Sequence, residues 1–526
     1  MTYASHARHI LVVTALLSAP AGHAFADDWT MGGFDATLAH RTGERSGGTW
    51  ASQPWSWTAP HGAQLVASPV VADGVVVLAA LDGNVYGLGA STGCLLWQFA
   101  TADNIQATPA VLDGRVFVSS MDGKLYALHL ANGQIAWQKS LGGLGRSSPM
   151  IAGASLLVAR GFPGDTLLRL DPQSGNTIWE TAAGSLAPFS NSAAASDGTR
   201  LIIGANEGHY VAFDLASGKQ LWKYEAGGIV NLSAPLLVGG RAYFLPGGSS
   251  GRLHAVDVTS GAAIAGWPID LPAPAPDVAG TSLGRDFSVS SAAASGTSLI
   301  VDYRFDDFLD TDKDGTADQF LSRESLVAFD TGSGNVSWQQ ANGRQVASSF
   351  NDIPKNWLCP TPAVYARMGG SASAAPYLLS ASTLTTSVRA LDAGTGTVLG
   401  TVTASGPSGA SPLLANGRSF VATTGGTLQS WASRGNRPPS APALTDGATL
   451  AVNNVAPVVH WAAAMDPEAQ AVTYQVRLDS DGEVLESWAY TTTTSDTTWH
   501  VPGNLDVGKS YVVAVRARDS QGAWSD

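Results

Sequence analysis

The chain has 526 residues, 44% of them hydrophobic and only 13% charged, enough apolar content for extensive burial in more than one domain. A formal charge of −13 argues against a nucleic acid or an anionic membrane as partner. Fifty-nine glycines and 27 prolines in a composition that is not disordered demand many turns, which points to an all-β protein of short strands.

Residues 1–26 read as a secretory signal. Arg8 precedes the apolar run Ile10–Leu17, and Ala24-Phe25-Ala26 gives a small-residue cleavage end before Asp27. That run is far short of the ~20 residues a membrane-spanning helix needs, and no later segment is a candidate. No cysteine lies near the cleavage end, so no lipid anchor is expected. The mature protein is expected to be exported, soluble and monomeric, in the periplasm, secreted or at the cell surface. Cys94 and Cys359 lie far apart in the chain, and two separate thiols are expected.

Self-similarity dominates the body of the chain. The segments at 82–99, 122–139, 207–224 and 323–340 share one pattern, as in DGKLYALHLANGQIAWQK, and weaker copies lie at 164–181, 250–269 and 385–402. Their turn glycines are Gly93, Gly133, Gly175, Gly218, Gly261, Gly334 and Gly396. Trp97, Trp137, Trp179, Trp222 and Trp338 follow four residues later, Trp267 follows after six, and Gly400 stands in the seventh copy. Each copy reads as strand, tight turn, strand. A second hairpin precedes each, beginning at Ser68, Thr108, Ser148, Ser192, Ser233, Ser290 and Thr361, with an eighth at Ser411. The eighth repeat runs through Gly425–Trp431 and stops at a proline-rich linker, lacking its outer strand. Pro54-Trp55-Ser56-Trp57 has the character of that missing strand, and pairing it with the last repeat would remove an open sheet edge.

These repeats resemble the pyrroloquinoline-quinone (PQQ)-like propeller family, whose signature is a Tyr/Val-Ala-Leu/Phe-Asp run, a Thr/Ser-Gly turn and a tryptophan. Asp171, Asp214, Asp257, Asp330 and Asp392 occupy its aspartate position, and Asp28-Trp-Thr-Met-Gly-Gly33 resembles its N-terminal lead-in. The resemblance implies an eight-bladed β-propeller of four-stranded blades over 27–433. The tryptophans Trp97, Trp137, Trp179, Trp222, Trp267 and Trp338 are read as packing between blades rather than as cofactor-stacking rings, because one per blade cannot all face one ligand.

Three insertions depart from the repeat: 268–289 and 339–360 as connections between blades, and 303–323 as a loop within one. All three are expected on one face over blades 5 to 7, and they carry Arg285, Asp286, Asp306, Asp307, Phe308 and Trp357 as candidate partner-binding residues. Within them, Asp310, Asp312, Asp314, Thr316 and Asp318 with Gly315 reproduce most of an EF-hand-type calcium loop. Leu321 replaces the bidentate glutamate at position 12, for which Glu324 or Asp307 would have to substitute. The site is expected to be structural.

Residues 434–442 form a Pro-rich linker, and 443–526 read as a small β-sandwich. Leu505-x-x-Gly508-x-x-Tyr511 and Trp461 resemble the fibronectin type III family, with the last strand missing, as expected of a truncated chain or, as the alternative, of an edge that a partner supplies. Phosphate loops, nucleophile elbows, zinc-helix motifs and haem-attachment motifs are absent. His129, His209 and His254 lack metal-ligand spacing, and no vicinal cysteine pair of the PQQ alcohol dehydrogenases occurs. The expectation is a non-enzymatic exported scaffold that binds a protein or an extracellular ligand, without PQQ. The alternative is a PQQ- and calcium-dependent dehydrogenase of alcohols or sugars.

Overall fold

The computed structural model describes residues 9–11, 41–46, 54–161, 166–182, 193–205, 208–228, 234–247, 251–273, 280–289, 292–295, 297–347, 364–368, 376–415 and 418–432, then 442, 450–452, 458–464, 472–480, 492–494, 496–500, 511–518 and 525. Trp357, Cys359 and most of the linker and signal segments lie outside them. Within the signal segment, His9–Leu11 pairs antiparallel with Leu450–Val452.

The chain is a β-propeller. Among the described residues, eight sheets of four or five strands succeed one another, numbered here 1 to 8 in chain order. Sheet 1 is representative: Val70–Ala72, Val75–Ala79, Asn84–Gly89 and Leu95–Ala100 form an antiparallel meander. Asp73 and Gly74 both take positive φ in its first hairpin, the geometry that a two-residue turn needs to match strand twist. In the last hairpin of five sheets an aspartate caps the turn. Asp214 Oδ1 accepts from the Ser217 amide at 2.7 Å and from its hydroxyl, and Asp171, Asp257, Asp330 and Asp392 repeat the arrangement.

Neighbouring sheets are tied twice. Near the inner strands, the Ser68 amide donates to Thr108 Oγ1 at 3.1 Å and the Thr108 amide to Ser148 Oγ at 2.9 Å, linking sheets 1, 2 and 3. The Ser411 amide donates to Ser68 Oγ at 3.2 Å and joins sheet 8 to sheet 1. Near the rim, tryptophans on the outer strands of sheets 1, 2, 3, 4 and 6 lie over the turn glycine of the next sheet. A Cβ placed on Gly133, where φ is 70°, would fall 2.5 Å from Trp97 Cε3. The Trp97 indole N–H meanwhile donates to Leu130 O at 2.7 Å. Trp137, Trp179, Trp222 and Trp338 bond the next sheet likewise, through Pro172, Leu215, Val258 and Ala393. Trp267 differs: it is buried edge-on to Tyr243 in its own sheet, and Ile269 approaches Gly334 more closely than it does.

Sheet 8 takes its fourth strand from the N-terminal side. Trp55–Thr58 pairs antiparallel with Thr427–Ala432, with Trp55 opposite Ser430 and Trp57 opposite Leu428. Trp55 then does for sheet 1 what Trp97 does for sheet 2, bonding Ala90 O at 3.1 Å and covering Gly93. The missing seventh tryptophan is explained in the same terms. Gly400 faces sheet 8, whose last strand is reached from elsewhere in the chain, so no turn glycine awaits a ring there. A further strand, Arg41–Ser46, adds parallel to Val364–Met368 at the inner edge of sheet 7.

The C-terminal part holds two small sheets, Val458–His460 with Thr498–His500, and Thr492–Thr494 with Thr473–Ser480 and Tyr511–Arg518. Val459, Trp461, Tyr474, Val476, Trp499 and Val513 form one buried core between them. Ser525 turns back onto Tyr511–Arg518, bonding Ala517 through both its amide and its hydroxyl.

Candidate partner-binding arm on the sixth sheet

The insertions are not separate loops over three blades. Their described parts, 281–289, 303–323 and 339–347, are the continuation of one sheet. In sheet 6 the second strand is Ser298–Asp310, the third Gln319–Asp330 and the fourth Val336–Ala347, flanked by Thr281–Val289. The matching second strand in sheet 2, Arg115–Ser119, has 5 residues against 13 here. At ~3.4 Å per residue the difference lengthens the sheet by about 25 Å. The reason lies in the sequence: Tyr303, Phe305 and Leu309 alternate with Arg304, Asp306 and Phe308, a period of two that continues the strand through the expected loop.

Alternation gives this arm two faces. On the first, Asp307 is fully buried between two guanidiniums, Arg285 Nε at 2.6 Å and Arg323 Nη2 at 2.6 Å. Both cations also lie over the Phe305 ring, 5.0 and 4.6 Å from its centroid. Arg285 reaches on to Ala273 O at 2.8 Å. Four groups from three strands are thereby locked together, and a charge-assisted cluster of this kind stiffens an otherwise projecting sheet. Arg285 and Asp307 therefore brace the arm. On the second face Asp306 is buried with its carboxylate 3.3 Å from Arg304 Nε, and Phe308 packs edge-on against Phe320 at 5.7 Å. Asp306 faces inward, and Phe308 is half-buried. Of the predicted contact residues, Asp286 alone is exposed among those described. Exposed apolar groups lie on the flanking strands instead, Leu283 on one edge and Val346 on the other.

The tip is the acidic turn. Asp310, Asp312 and Asp314 each bring one carboxylate oxygen to within 4.8 Å of the others. Asp310 accepts from the Lys313 and Gly315 amides, wrapping the turn about itself. Asp318, expected as a further ligand, is turned away: it accepts from the Thr311 amide at 2.9 Å and hydroxyl at 2.6 Å, and these bonds lower its pKa. Thr316 likewise bonds the Asp314 carboxylate and lowers its pKa. Neither substitute for the twelfth position is free, since Asp307 is held by its two arginines and Glu324 by Ser382 and Thr383. The donor set that fits a hard cation is thus three carboxylates on one exposed hairpin end.

Among the described residues no histidine joins a group that could hold a metal. His254 bonds Tyr224 through Nδ1 at 3.0 Å inside an aromatic cluster, where burial first and Arg252 second push its pKa down to about 4. Cys94 is an exposed free thiol.

A family model described as outer membrane protein assembly factor BamB, of the PQQ-repeat type, matches residues 36–188, 163–267 and 322–525. The chain belongs to that family. Residues 268–321, which contain the first two long strands of the arm and its tip, lie outside the matched segments, whereas the C-terminal part lies within them. No curated protein sequence matches the chain. Among solved structures, quinohemoprotein alcohol dehydrogenase from Comamonas testosteroni is similar at a TM-score of 0.57 and 13% identity, over 80% of this chain and 82% of that one. A europium-containing methanol dehydrogenase gives 0.56 and 13%, over 78% and 98%. BamB from Moraxella catarrhalis gives 0.49 and 18%, over 74% and 98%. At such identities the likeness is one of fold.

Sequence reasoning overlooked a buried polar layer at the base of the arm, where Asp302, Glu324 and Asn342 meet Ser380, Ser382 and Thr383 of sheet 7. Its signal was available. Asp302, Arg304 and Asp306 share one side of a strand, which marks a polar face inside a sheet that is otherwise apolar.

Proposed function

We propose that this protein is an exported, non-enzymatic scaffold, an eight-bladed propeller closed by Trp55–Thr58, that binds a protein or surface ligand through the arm of its sixth sheet. The observation that carries this reading is the arm itself. It is braced on both faces, its first two long strands and its tip fall outside the family match, and its two flanking strands keep one edge without a ladder partner among the described residues. An open row of backbone amides and carbonyls suits another extended chain, and Leu283, Asp286 and Val346 would supply side-chain selection. The acidic tip serves as a structural calcium turn in this account. An acidic chain with a leader of this type belongs in the periplasm or outside the cell, and among the described residues no helix is long and apolar enough to cross a membrane.

The alternative is a PQQ- and calcium-dependent dehydrogenase, a reading favoured by the fold likeness to a quinohemoprotein alcohol dehydrogenase and a europium-containing methanol dehydrogenase. The quinone carries three carboxylates and calls for cationic partners. Seven of the inner strands, such as Val70–Ala72, Ala110–Leu112 and Leu413–Ala415, are built from aliphatic residues, alanine, methionine and serine. The eighth, Val364–Met368, is covered by the chain's own Arg41–Ser46. Those seven strands offer the quinone no cationic side chain, which supports the scaffold reading, and the arginines of the eighth setting are Arg41, Arg45 and Arg367. A photo-crosslinking residue placed at Leu283 or Val346 in the exporting host should capture a discrete partner, while the same residue at Leu95 or Ile178 on the rim should not. Equal capture at all four positions would refute the assignment to the arm.

A further inference from the structure

The two edges of the arm differ in charge. Thr281–Val289 forms one, and its ladder partner among the described residues is Ser298–Asp310 alone. Thr281, Ser282, Leu283, Gly284 and Asp286 on this edge are exposed. The other edge, Val336–Ala347, carries Arg344 and no acid. Across the arm one register row runs Asp286, Asp306, Ser322 and Gln345, strand by strand. Residues opposite one another in a ladder share a face, so all four stand on the second face. Two carboxylates thus meet across neighbouring strands, an arrangement that repels.

Asp306 is 8% exposed, its Oδ2 lies 3.3 Å from Arg304 Nε, and its buried Oδ1 has no hydrogen-bond partner among the described residues. The Asp286 carboxylate has none there either. Arg285, its neighbour in the strand, is held on the first face by Asp307. Two carboxylates against one guanidinium leave the row one positive charge short, and the row ends at an open edge. We propose, resting on the reading of the arm as the binding element, that the Thr281–Val289 edge takes an extended segment of a basic partner, with a lysine or arginine opposite Asp286. The partner's backbone extends the ladder, which gives affinity whatever the sequence. Its cation lies beside Asp286, at the ~4.5–5.5 Å Cβ spacing of cross-strand neighbours, and the length of either side chain carries the charge toward Asp306. An acidic segment meets repulsion at the same position. The choice of partner then rests on charge at one register position, and the attraction weakens as salt rises.

Two peptides of about eight residues, the length of a strand, test this on the full mature chain: one alternates lysine with threonine, the other glutamate with threonine. Calcium stays in the buffer, so that the acidic tip is not the source of the attraction. Backbone hydrogen exchange read over 281–289 should slow with the lysine peptide and not with the glutamate peptide. Asp286→Lys should weaken the lysine peptide about tenfold, whereas Glu180→Lys, at an exposed acid on the outer strand of sheet 3, should leave it within about twofold. Equal protection by both peptides, protection by neither at about millimolar concentration, or an Asp286→Lys protein that binds as the wild type does overturns the proposal. So does protection of 281–289 that rises with protein concentration alone, which would give the edge to a second copy. The arm reading itself falls only if crosslinkers at Leu283 and Val346 also capture nothing discrete. Should Asp286→Lys fail to fold, the comparison of the two peptides on the wild-type chain decides by itself.

Discussion

Replacing Trp55 by alanine should destabilise the propeller as a core substitution does, although the residue lies on a short strand far in sequence from everything it touches. Its indole N–H donates to Ala90 O at 3.1 Å, its ring packs edge-on to Phe420 at 6.0 Å, and it covers Gly93, where an added Cβ would fall 2.4 Å from Cε3. Truncating a buried tryptophan costs about 3–5 kcal/mol. Trp55 is half-buried, so a loss of about 2–3 kcal/mol is expected, of which about 1 kcal/mol belongs to the hydrogen bond. The assay is guanidinium unfolding of the mature chain followed by far-UV circular dichroism, with exposed Ser56→Ala as the control on the same strand. The midpoint should fall for Trp55→Ala and stay for Ser56→Ala. A change below about 0.5 kcal/mol, the size of an ordinary surface substitution, would refute the idea that this strand completes sheet 8 and clamps sheet 1.

Asp307→Ala should loosen the arm while leaving the other sheets intact. It strands two partly buried guanidiniums, and breaking a buried pair costs about 3–5 kcal/mol, so exchange in 298–330 should rise without change in 84–100. The capped turns should fail in acid: bonds from Ser174, Ser217, Ser260 and Ser333 lower the pKa of Asp171, Asp214, Asp257 and Asp330. Lowered folded values mean that this support is present above the ordinary aspartate range and is lost as pH falls through the folded values, below about pH 4. Acid titration of these carboxylates by NMR checks it, and midpoints at or above the unperturbed value would contradict it. Calcium at millimolar levels should give binding heat that Asp312→Asn together with Asp314→Asn removes, and identical heats for the two proteins would dismiss the tip site.

Much of the fold was legible because its information is local and repeated. The glycine-to-tryptophan interval and the aspartate-capped turn recur often enough to declare a propeller, and the lone Trp-Ser-Trp segment stood out against them. The arm was misread because its strands were judged by repeat length, and the excess in 303–323 was taken for a loop although Tyr303, Phe305 and Leu309 kept the strand period. The bracing role of Arg285 and Asp307 was hidden for a related reason. A charged residue in sequence looks exposed, and only the fold reveals that Asp307 meets Arg323 from the strand on one side and Arg285 from the strand on the other. The layer around Asp302 depends on sheet 7, whose Ser380 and Arg389 lie 78 and 87 residues away in the chain. No local pattern encodes that meeting.

The claim that the arm is the binding element is tested most directly by shortening it. Replacing Asp306–Leu321 by a two-residue turn restores sheet 6 to the length of its neighbours and removes the tip. The reading predicts that this variant folds with the same rim-tryptophan fluorescence, loses the crosslinked partner seen from Leu283 and Val346, and shows no dye-linked alcohol oxidation with PQQ and calcium, as in the full-length chain. A folded, shortened variant that keeps the partner, or PQQ-dependent oxidation by either protein, would contradict it.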